Sequence, residues 1–398
     1  MSPIRLSRTV EIPDGLRISR YRKSPELGPK VLFFSGGSAL NSLCKTLKDY
    51  THNSTHLVTP FDSGGSSAEL RRAFGMPSIG DLRSRMMALA DESVLGHPDI
   101  FRLFNHRFPK GGSSDALRAQ LETMAQGKGE LMSEIANPMR RLISNQLGYF
   151  LQAMPADFNL AGASIGNLIL TGGYLNNHRH LDPIVFLFSK LVNVQGTVRA
   201  IVDEDLHLVA ELEDGSRVIG QHALTGKEVP PLQKKVKRVF LSASASQPEP
   251  TPLSVRKKNR KLIESAELIC YPPGSFYSSL LVNLLPSGVG RAIASNGCPK
   301  VYLPNLGRDP EQYGMTLDDC LDQLLAQLQA DCGEEPTPVS SQLNFILIDS
   351  RQGNYGPLPS AKRLEQLGIS VIDTRLVSKA SAPYYDNALL VAALMSLV

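Results

Sequence analysis

The 398-residue chain has no tryptophan, only five cysteines and no apolar run of the ~18 residues that a membrane-spanning helix needs. Each absence removes a class. An odd number of scattered cysteines in a long chain is no disulfide framework. Cys44, Cys270, Cys298, Cys320 and Cys332 include no Cys-x-x-Cys pair, and zinc sites need closely spaced ligands. His178 and His180 stand two apart, so on a helix they would face different directions. The first residues carry Arg5, Arg8, Glu11, Asp14, Arg17 and Arg20 with no apolar stretch long enough for a signal peptide between them. The expected setting is cytoplasmic, without membrane association. Excess charge of one sign is also missing: 42 basic residues face 38 acidic ones, net +4. A polybasic nucleic-acid scaffold and an acidic tail protein are both excluded. With 42% apolar and 20% charged residues, a sizeable core can form and disorder is out. At roughly 150 residues per domain, the length admits two or three domains or one large α/β domain with insertions.

The charge is unevenly placed. Residues 227–261 hold ten basic residues against two acidic ones, net +8, leaving 32 basic against 36 acidic, net −4, elsewhere. Single-stranded nucleic acid is gripped by aromatic side chains interleaved with positive charge. Phe240 is the only aromatic in this segment, so no nucleic-acid partner is expected. The readings left are a solvated charged face and an anion-attracting flank of a ligand cleft.

Short apolar runs alternate with helical patterns. Lys30–Ser35 reads as a buried strand, then glycines, then the amphipathic stretch Leu40–Tyr50. His56–Phe61 reads as the next strand, and Gly64-Gly65-Ser66-Ser67 opens a helix around Ala68–Phe74. Strand, glycine turn and helix in repeating order predict an α/β fold with a mostly parallel sheet. Glu267–Tyr271, Lys300–Pro304, Asn344–Asp349 and Ser370–Asp373 are short and apolar, as strands buried on both faces should be. Two insertions interrupt the scheme. Residues 93–160 are helical in pattern, with a polar tip at Lys110–Ser114. Residues 195–222 read as a small antiparallel β-ribbon, from Gly196–Ile201, His207–Leu212 and Arg217–Gly220 with the hairpin signal Asp214-Gly215. Gln247–Pro252 and Glu334–Pro338 are proline-rich loops.

Five turns combine glycines with hydroxyl or amide side chains. Ser35-Gly36-Gly37-Ser38 lies between a strand and a helix, where free N–H groups and the helix dipole favour phosphate. Asp62-Ser63-Gly64-Gly65-Ser66-Ser67 adds a carboxylate at the carboxyl end of a strand, the place where open parallel sheets bind ligands. Capping by Ser66 or Ser67 would explain those serines but not Asp62. Gly80-Asp81-Leu82-Arg83 begins a helix. Ser164-Ile165-Gly166-Asn167 opens an apolar one. Pro273-Gly274-Ser275-Phe276-Tyr277 follows the strand ending at Tyr271. Each alone could be only a turn and cap. Together they describe a cleft rich in N–H donors, suited to a nucleotide diphosphate.

The order of these motifs resembles the CofD/YvcK-like (UPF0052) family. The resemblance runs from about Lys30 to about Leu325, over Ser35–Leu40, Asp62–Arg71, Gly80–Arg83, Ser164–Leu168, Asn193–Gly220, Pro273–Leu285 and Val301–Leu306. It implies one Rossmann-like three-layer α/β domain over 1–398, with nucleotide bound at the carboxyl ends of the strands. Two activities are represented in the family. 2-Phospho-L-lactate transferases move a phosphorylated small acid from a nucleotide-activated donor to a hydroxyl, releasing a nucleoside monophosphate with Mg²⁺ assistance. UDP-sugar binders of the YvcK type have no established turnover. This chain departs from the pattern at Ser35-Gly36-Gly37-Ser38-Ala39 (usually Gly-Gly-Gly-Thr-Gly), at Asp62-Ser63 (usually Asp-Asp), at Ala163 (His in YvcK-like chains) and at Ser84 (usually Asn).

On this reading Gly36, Gly37, Ser38, Gly64, Gly65, Ser66, Ser67, Gly80, Asp81, Arg83, Ser164, Gly166, Gly274 and Ser275 surround the nucleotide and its phosphates. Asp62 holds Mg²⁺, as hard oxygen ligands do, or takes the proton of an attacking hydroxyl. Tyr277 stacks on a base or bonds to sugar or phosphate, unless it is simply an amphipathic residue at a helix start. Asn167 and Asn305 read hydroxyls or the base, or else serve as caps. The expected partner is a nucleotide diphosphate-linked small molecule, and a homodimer is admitted.

Overall fold

A computed structural model describes residues 9–226, 229–333 and 337–398. Lys227 and Glu228 of the basic segment, and Glu334, Glu335 and Pro336 of the second proline-rich loop, lie outside the described residues. Ten strands are described: β1 (Val31–Ser35), β2 (Thr55–Val58), β3 (Thr197–Ala200), β4 (His207–Leu212), β5 (Arg217–Ile219), β6 (Val236–Ser242), β7 (Leu268–Tyr271), β8 (Lys300–Tyr302), β9 (Phe345–Ile348) and β10 (Ser370–Asp373). Seven of them form one sheet in the order β10-β9-β8-β7-β1-β2-β3, with every pairing parallel.

The central strands are buried along their whole length, β1 and β7 at every residue. Successive residues therefore feed opposite layers. Val31 and Phe33 join one apolar cluster with helices Asn41–Leu47, Gly80–Leu89 and Asn387–Met395. Leu32 and Phe34 join the other with helices Val289–Ser295 and Leu317–Ala330. This is the three-layer arrangement. The chain steps outward from β1 to β3, returns, and builds β7 to β10 on the other side. The carboxyl ends of β1 and β7 thus flank the point where the winding reverses. Loops leaving adjacent strands there diverge to opposite faces and open a crevice.

The helical insertion comprises Pro98–Asn105, Ser114–Ala125, Glu130–Ser133 and Met139–Ala153. It packs on helix Ile165–Asn176, which carries the fourth glycine turn at its start. The two long helices touch backbone to backbone: a Cβ on Gly172 would stand 1.8 Å from the carbonyl oxygen of Gln146.

The ribbon differs from its expected bounds. Thr197–Ala200 is the parallel edge strand of the main sheet, paired with β2. The antiparallel sheet has the order β5-β4-β6, and its third strand comes from the basic segment. An edge strand covered on one side alternates like an antiparallel one, which disguised β3. Lysine and arginine on the outer face of β6 disguised that strand. Lys237 and Arg238 pair with Glu211 across the ribbon, Lys234 with Asp214, Lys235 with Asp319, Arg256 with Asp203 and Lys258 with Asp182. Much of the +8 is thus matched by acids that fold against it. Among the described residues no helix is long and apolar enough to cross a membrane.

Candidate functional site

Four of the five glycine turns meet above the carboxyl ends of β1 and β2. A Cβ on Gly37 would lie 2.5 Å from Asp81 Oδ1, and one on Gly80 would lie 2.5 Å from Ser67 Oγ and 3.6 Å from Asp62 Oδ2. A Cβ at either position would make the Asp81 or Ser67 side chain shift, so the turns approach one another closely. The fourth turn joins through Asn167, whose Nδ2 is 3.5 Å from Ser66 Oγ, and through Gly166, against which the Arg83 stem lies. This brings Gly36, Gly37, Asp62, Gly64 to Ser67, Gly80, Asp81, Arg83, Ser164, Gly166 and Asn167 to one locus, with Ser38 exposed at its rim.

The helices starting at Gly65, Gly80 and Ile165 have no side-chain N-cap, a state they share with eight other α-helices of the described residues; what sets the three apart is that their starts converge. Ser66 and Ser67 lie inside the first turn, so capping does not account for them. Gly64 is the cap residue, and Gly65 takes φ +50°. Uncapped helix starts offer N–H donors and positive dipole ends to an anion.

Asp62 is fixed on both sides. Its Oδ1 accepts the Gly64 N–H at 3.1 Å. The buried Arg71 donates to the carbonyls of Phe61 and Asp62 and is itself anchored on Asp205 and Leu206. Ser63 shares a 2.7 Å hydrogen bond with His222 from the short helix Gln221–Leu224 that follows β5. Among the described residues no group of three or more His, Cys, Asp or Glu is arranged to hold a metal.

The fifth turn behaves differently. The Phe276 N–H donates to Asp309 Oδ2 at 2.7 Å, and those of Tyr277 and Ser278 to Glu311 Oε2 at 2.8 and 2.9 Å. Its N–H donors are therefore spent within the protein. Asn305 accepts from the Gly274 N–H and donates to the Gly274 carbonyl, so it pins this turn, and it also lines the cavity beside it. Tyr277 is corrected as well. It is 0% exposed, its hydroxyl lies on Val236 and Met315, and burial raises its pKa. Its ring is core, not a stacking platform. Gly274 and Ser275 do line a cavity of about 530 Å³ with Leu40, Leu306 and Tyr385.

Burial pushes Asp309 up to about 6 and Glu311 up to about 7, the neighbouring Asp309 charge adding to the second. Carboxyls raised by folding stabilise the fold fully below their unfolded values near 4, and that contribution fades as pH rises through 6 to 7. Glu311→Gln keeps acceptance from both N–H groups and can donate to Ser278. The wild-type denaturation midpoint is expected to fall between pH 5 and 7.5, and Glu311→Gln to flatten that fall. Parallel pH profiles would refute the assignment.

Arg85 has a role that sequence reading missed. It is 0% exposed, donates to the carbonyls of Gly36 (3.1 Å) and Gly37 (2.9 Å) and to Cys44 Sγ (2.8 Å), and so places a buried cation beneath the first turn. Burial, and then this charge, lower the His56 pKa well below the ordinary imidazole value. The second arginine in Gly80-Asp81-Leu82-Arg83-Ser84-Arg85 was the only signal. Asp309 and Glu311 gave none, since they reach the fifth turn from more than thirty residues away.

The profile of the family described as 2-phospho-L-lactate transferase CofD matches residues 31–382. A gluconeogenesis factor of Bacillus subtilis is 30% identical over 88% of this chain and 92% of its own length. Another gluconeogenesis factor, from Halalkalibacterium halodurans, is 29% identical over 74% and 72%. A Nostoc sp. relative is 31% identical over 77% of this chain, but there the chain spans about half, 53%, of that protein's length. The crystal structure of a UPF0052 family member from Bacillus halodurans superposes with a TM-score of 0.64, at 25% identity, over 92% of this chain and 99% of that one. With seven parallel strands, the converging glycine turns and a profile match across most of its length, the chain belongs to the CofD family.

Proposed function

We propose that this chain binds a nucleotide diphosphate-linked small molecule across the carboxyl rim of the sheet and transfers its phosphorylated acid to an acceptor hydroxyl. The observation that carries this is the convergence of three uncapped helix starts and the Gly36-Gly37 turn beside Asp62. Phosphoryl chemistry needs positioning and charge neutralisation more than covalent catalysis. The acceptor oxygen attacks the distal phosphorus, the bond between the two phosphoryl groups breaks, and nucleoside monophosphate leaves. The hydroxyl proton passes to Asp62 or to solvent. N–H donors of the turns stabilise the charge that builds on the phosphoryl oxygens. Arg85 holds the carbonyls of Gly36 and Gly37 inward.

Mg²⁺ fits as an ion brought in with the diphosphate. A single well-held carboxylate plus phosphate oxygens and water is a set this ion accepts, and fewer than three clustered protein ligands is consistent with that. Asp62 would hold it through the oxygen that Gly64 does not engage. The ion, when bound, neutralises diphosphate charge.

A second reading is a nucleotide-binding regulator without turnover, acting in carbon supply as the gluconeogenesis-factor name of the relatives indicates. Ser63 in place of a second carboxylate, engaged by His222, favours it. Incubation with GDP- and UDP-linked donors, Mg²⁺ and hydroxyl acceptors separates the two. Donor- and acceptor-dependent release of nucleoside monophosphate is expected for the transferase. Binding without any release supports the regulator.

A further inference from the structure

A cavity of about 420 Å³ opens beside the Asp62 turn, between Gly65 and Ser66 on one side and Arg107, Lys110, Ser164 and Asn167 on the other. Its polar groups are unmatched. Ser164 and Asn167 are 0% and 1% exposed, and Ser164 Oγ and Asn167 Oδ1 have no hydrogen-bond partner. Arg83 lies behind the same helix start, with its Cδ 2.8 Å from where a Cβ on Gly166 would stand, and its Nε is also without a partner. Arg83 and Arg107 donate only to the carbonyls of Phe104 and Gly162. Neither they nor Lys110 form an ion pair among the described residues. Glu69, the acid in the wall, is engaged by Arg72 on its own helix.

With Glu69 already engaged by Arg72, the two guanidinium groups and the ammonium have no carboxylate paired to them and repel one another. Burial, and then the Arg107 charge, lower the Arg83 pKa to about 10. An oxyanion would reverse that penalty, because planar guanidinium groups match phosphate and carboxylate oxygens. Buried Asn167 Oδ1 can accept only from a donor, and a ligand hydroxyl supplies one.

We infer that this cavity is the acceptor subsite and takes a small hydroxylated anion, its oxyanion on Arg107 and Lys110, with the Arg83 charge behind the wall, and its hydroxyls toward Asn167 and Ser164. The inference rests on the transfer reading and adds the chemical class of the second substrate.

The test uses the full chain and four probes in thermal-shift titration: glycerol 3-phosphate, glycerate, neutral glycerol and a nucleoside diphosphate, at constant ionic strength. One or both anions are expected to raise the midpoint while glycerol does not, and the preferred anion tells phosphate from carboxylate. Arg107→Ala/Lys110→Ala is expected to weaken anion binding about tenfold or more and to keep the nucleotide response. Both side chains sit on exposed loop positions, and a retained nucleotide shift reports an intact fold. Equal anion responses in wild type and double variant would overturn the inference, as would a wild type indifferent to both anions. Nucleotide binding without anion binding refutes this subsite alone. Anion binding without nucleotide binding refutes the nucleotide reading and leaves the cavity assigned.

Discussion

Asp62→Asn is expected to cut nucleoside monophosphate release by about 10²–10⁴-fold, the usual worth of a positioned proton acceptor, with nucleotide affinity changed far less. The substitution is close to silent structurally. The retained side-chain oxygen can still accept from Gly64, and the backbone of Phe61 and Asp62 remains held by Arg71. What disappears is the negative charge. Its two candidate roles part in the details. If Asp62 holds Mg²⁺, the variant needs much more of the ion and excess Mg²⁺ restores part of the rate. If it accepts the proton, excess Mg²⁺ restores nothing. A variant that turns over as fast as wild type removes Asp62 from the chemistry.

Gly172→Ala is expected to destabilise the fold by about 2 kcal/mol, against the sign of helix propensity, which favours alanine by roughly 1 kcal/mol. The new methyl would stand 1.8 Å from Gln146 O, 2.8 Å from its carbonyl carbon and 3.1 Å from Phe150 N. All three are backbone atoms, so the two helices must separate. Gly148 lies on the partner helix with nothing within 4 Å of its own Cβ position. Gly148→Ala is therefore expected to stabilise by about 0.4–1 kcal/mol. Chemical denaturation of the pair checks both signs. Because Gly172 shares a helix with Gly166 and Asn167, its substitution should also weaken ligand binding at the rim, which Gly148→Ala should not. Two stabilised variants would contradict the packing described.

Elements whose local chemistry matched their global role were readable from the chain. Strands such as Val31–Ser35 are buried on both faces and bounded by glycine, so hydrophobic runs and turn residues agreed. Four of the five glycine turns lie together because each ends a strand or begins a helix at the same rim, which follows from parallel winding. What escaped was set by tertiary context. Thr197–Ala200 alternates like a ribbon strand because it is an edge. Val236–Ser242 looked like a charged loop because its lysines and arginines answer acids on a neighbouring strand. Tyr277 stands next to a convincing turn, yet points into the core. Asp309 and Glu311, distant in sequence, occupy the N–H groups expected to face phosphate. Arg85 shows its importance only through the carbonyls it binds, and the cationic cavity only through loops that the helical insertion brings back to the second turn.

The central claim is that the converged turns bind a nucleotide through its diphosphate. Thermal stability measured against UDP, GDP, their sugar-linked forms and the corresponding nucleosides, each with and without Mg²⁺, tests it most directly. A ligand at 100 times its dissociation constant adds about 2.7 kcal/mol of stability. At least one diphosphate compound is expected to produce that rise and the phosphate-free nucleosides none. A panel in which no diphosphate stabilises the chain, or in which nucleosides do so equally, would contradict the account.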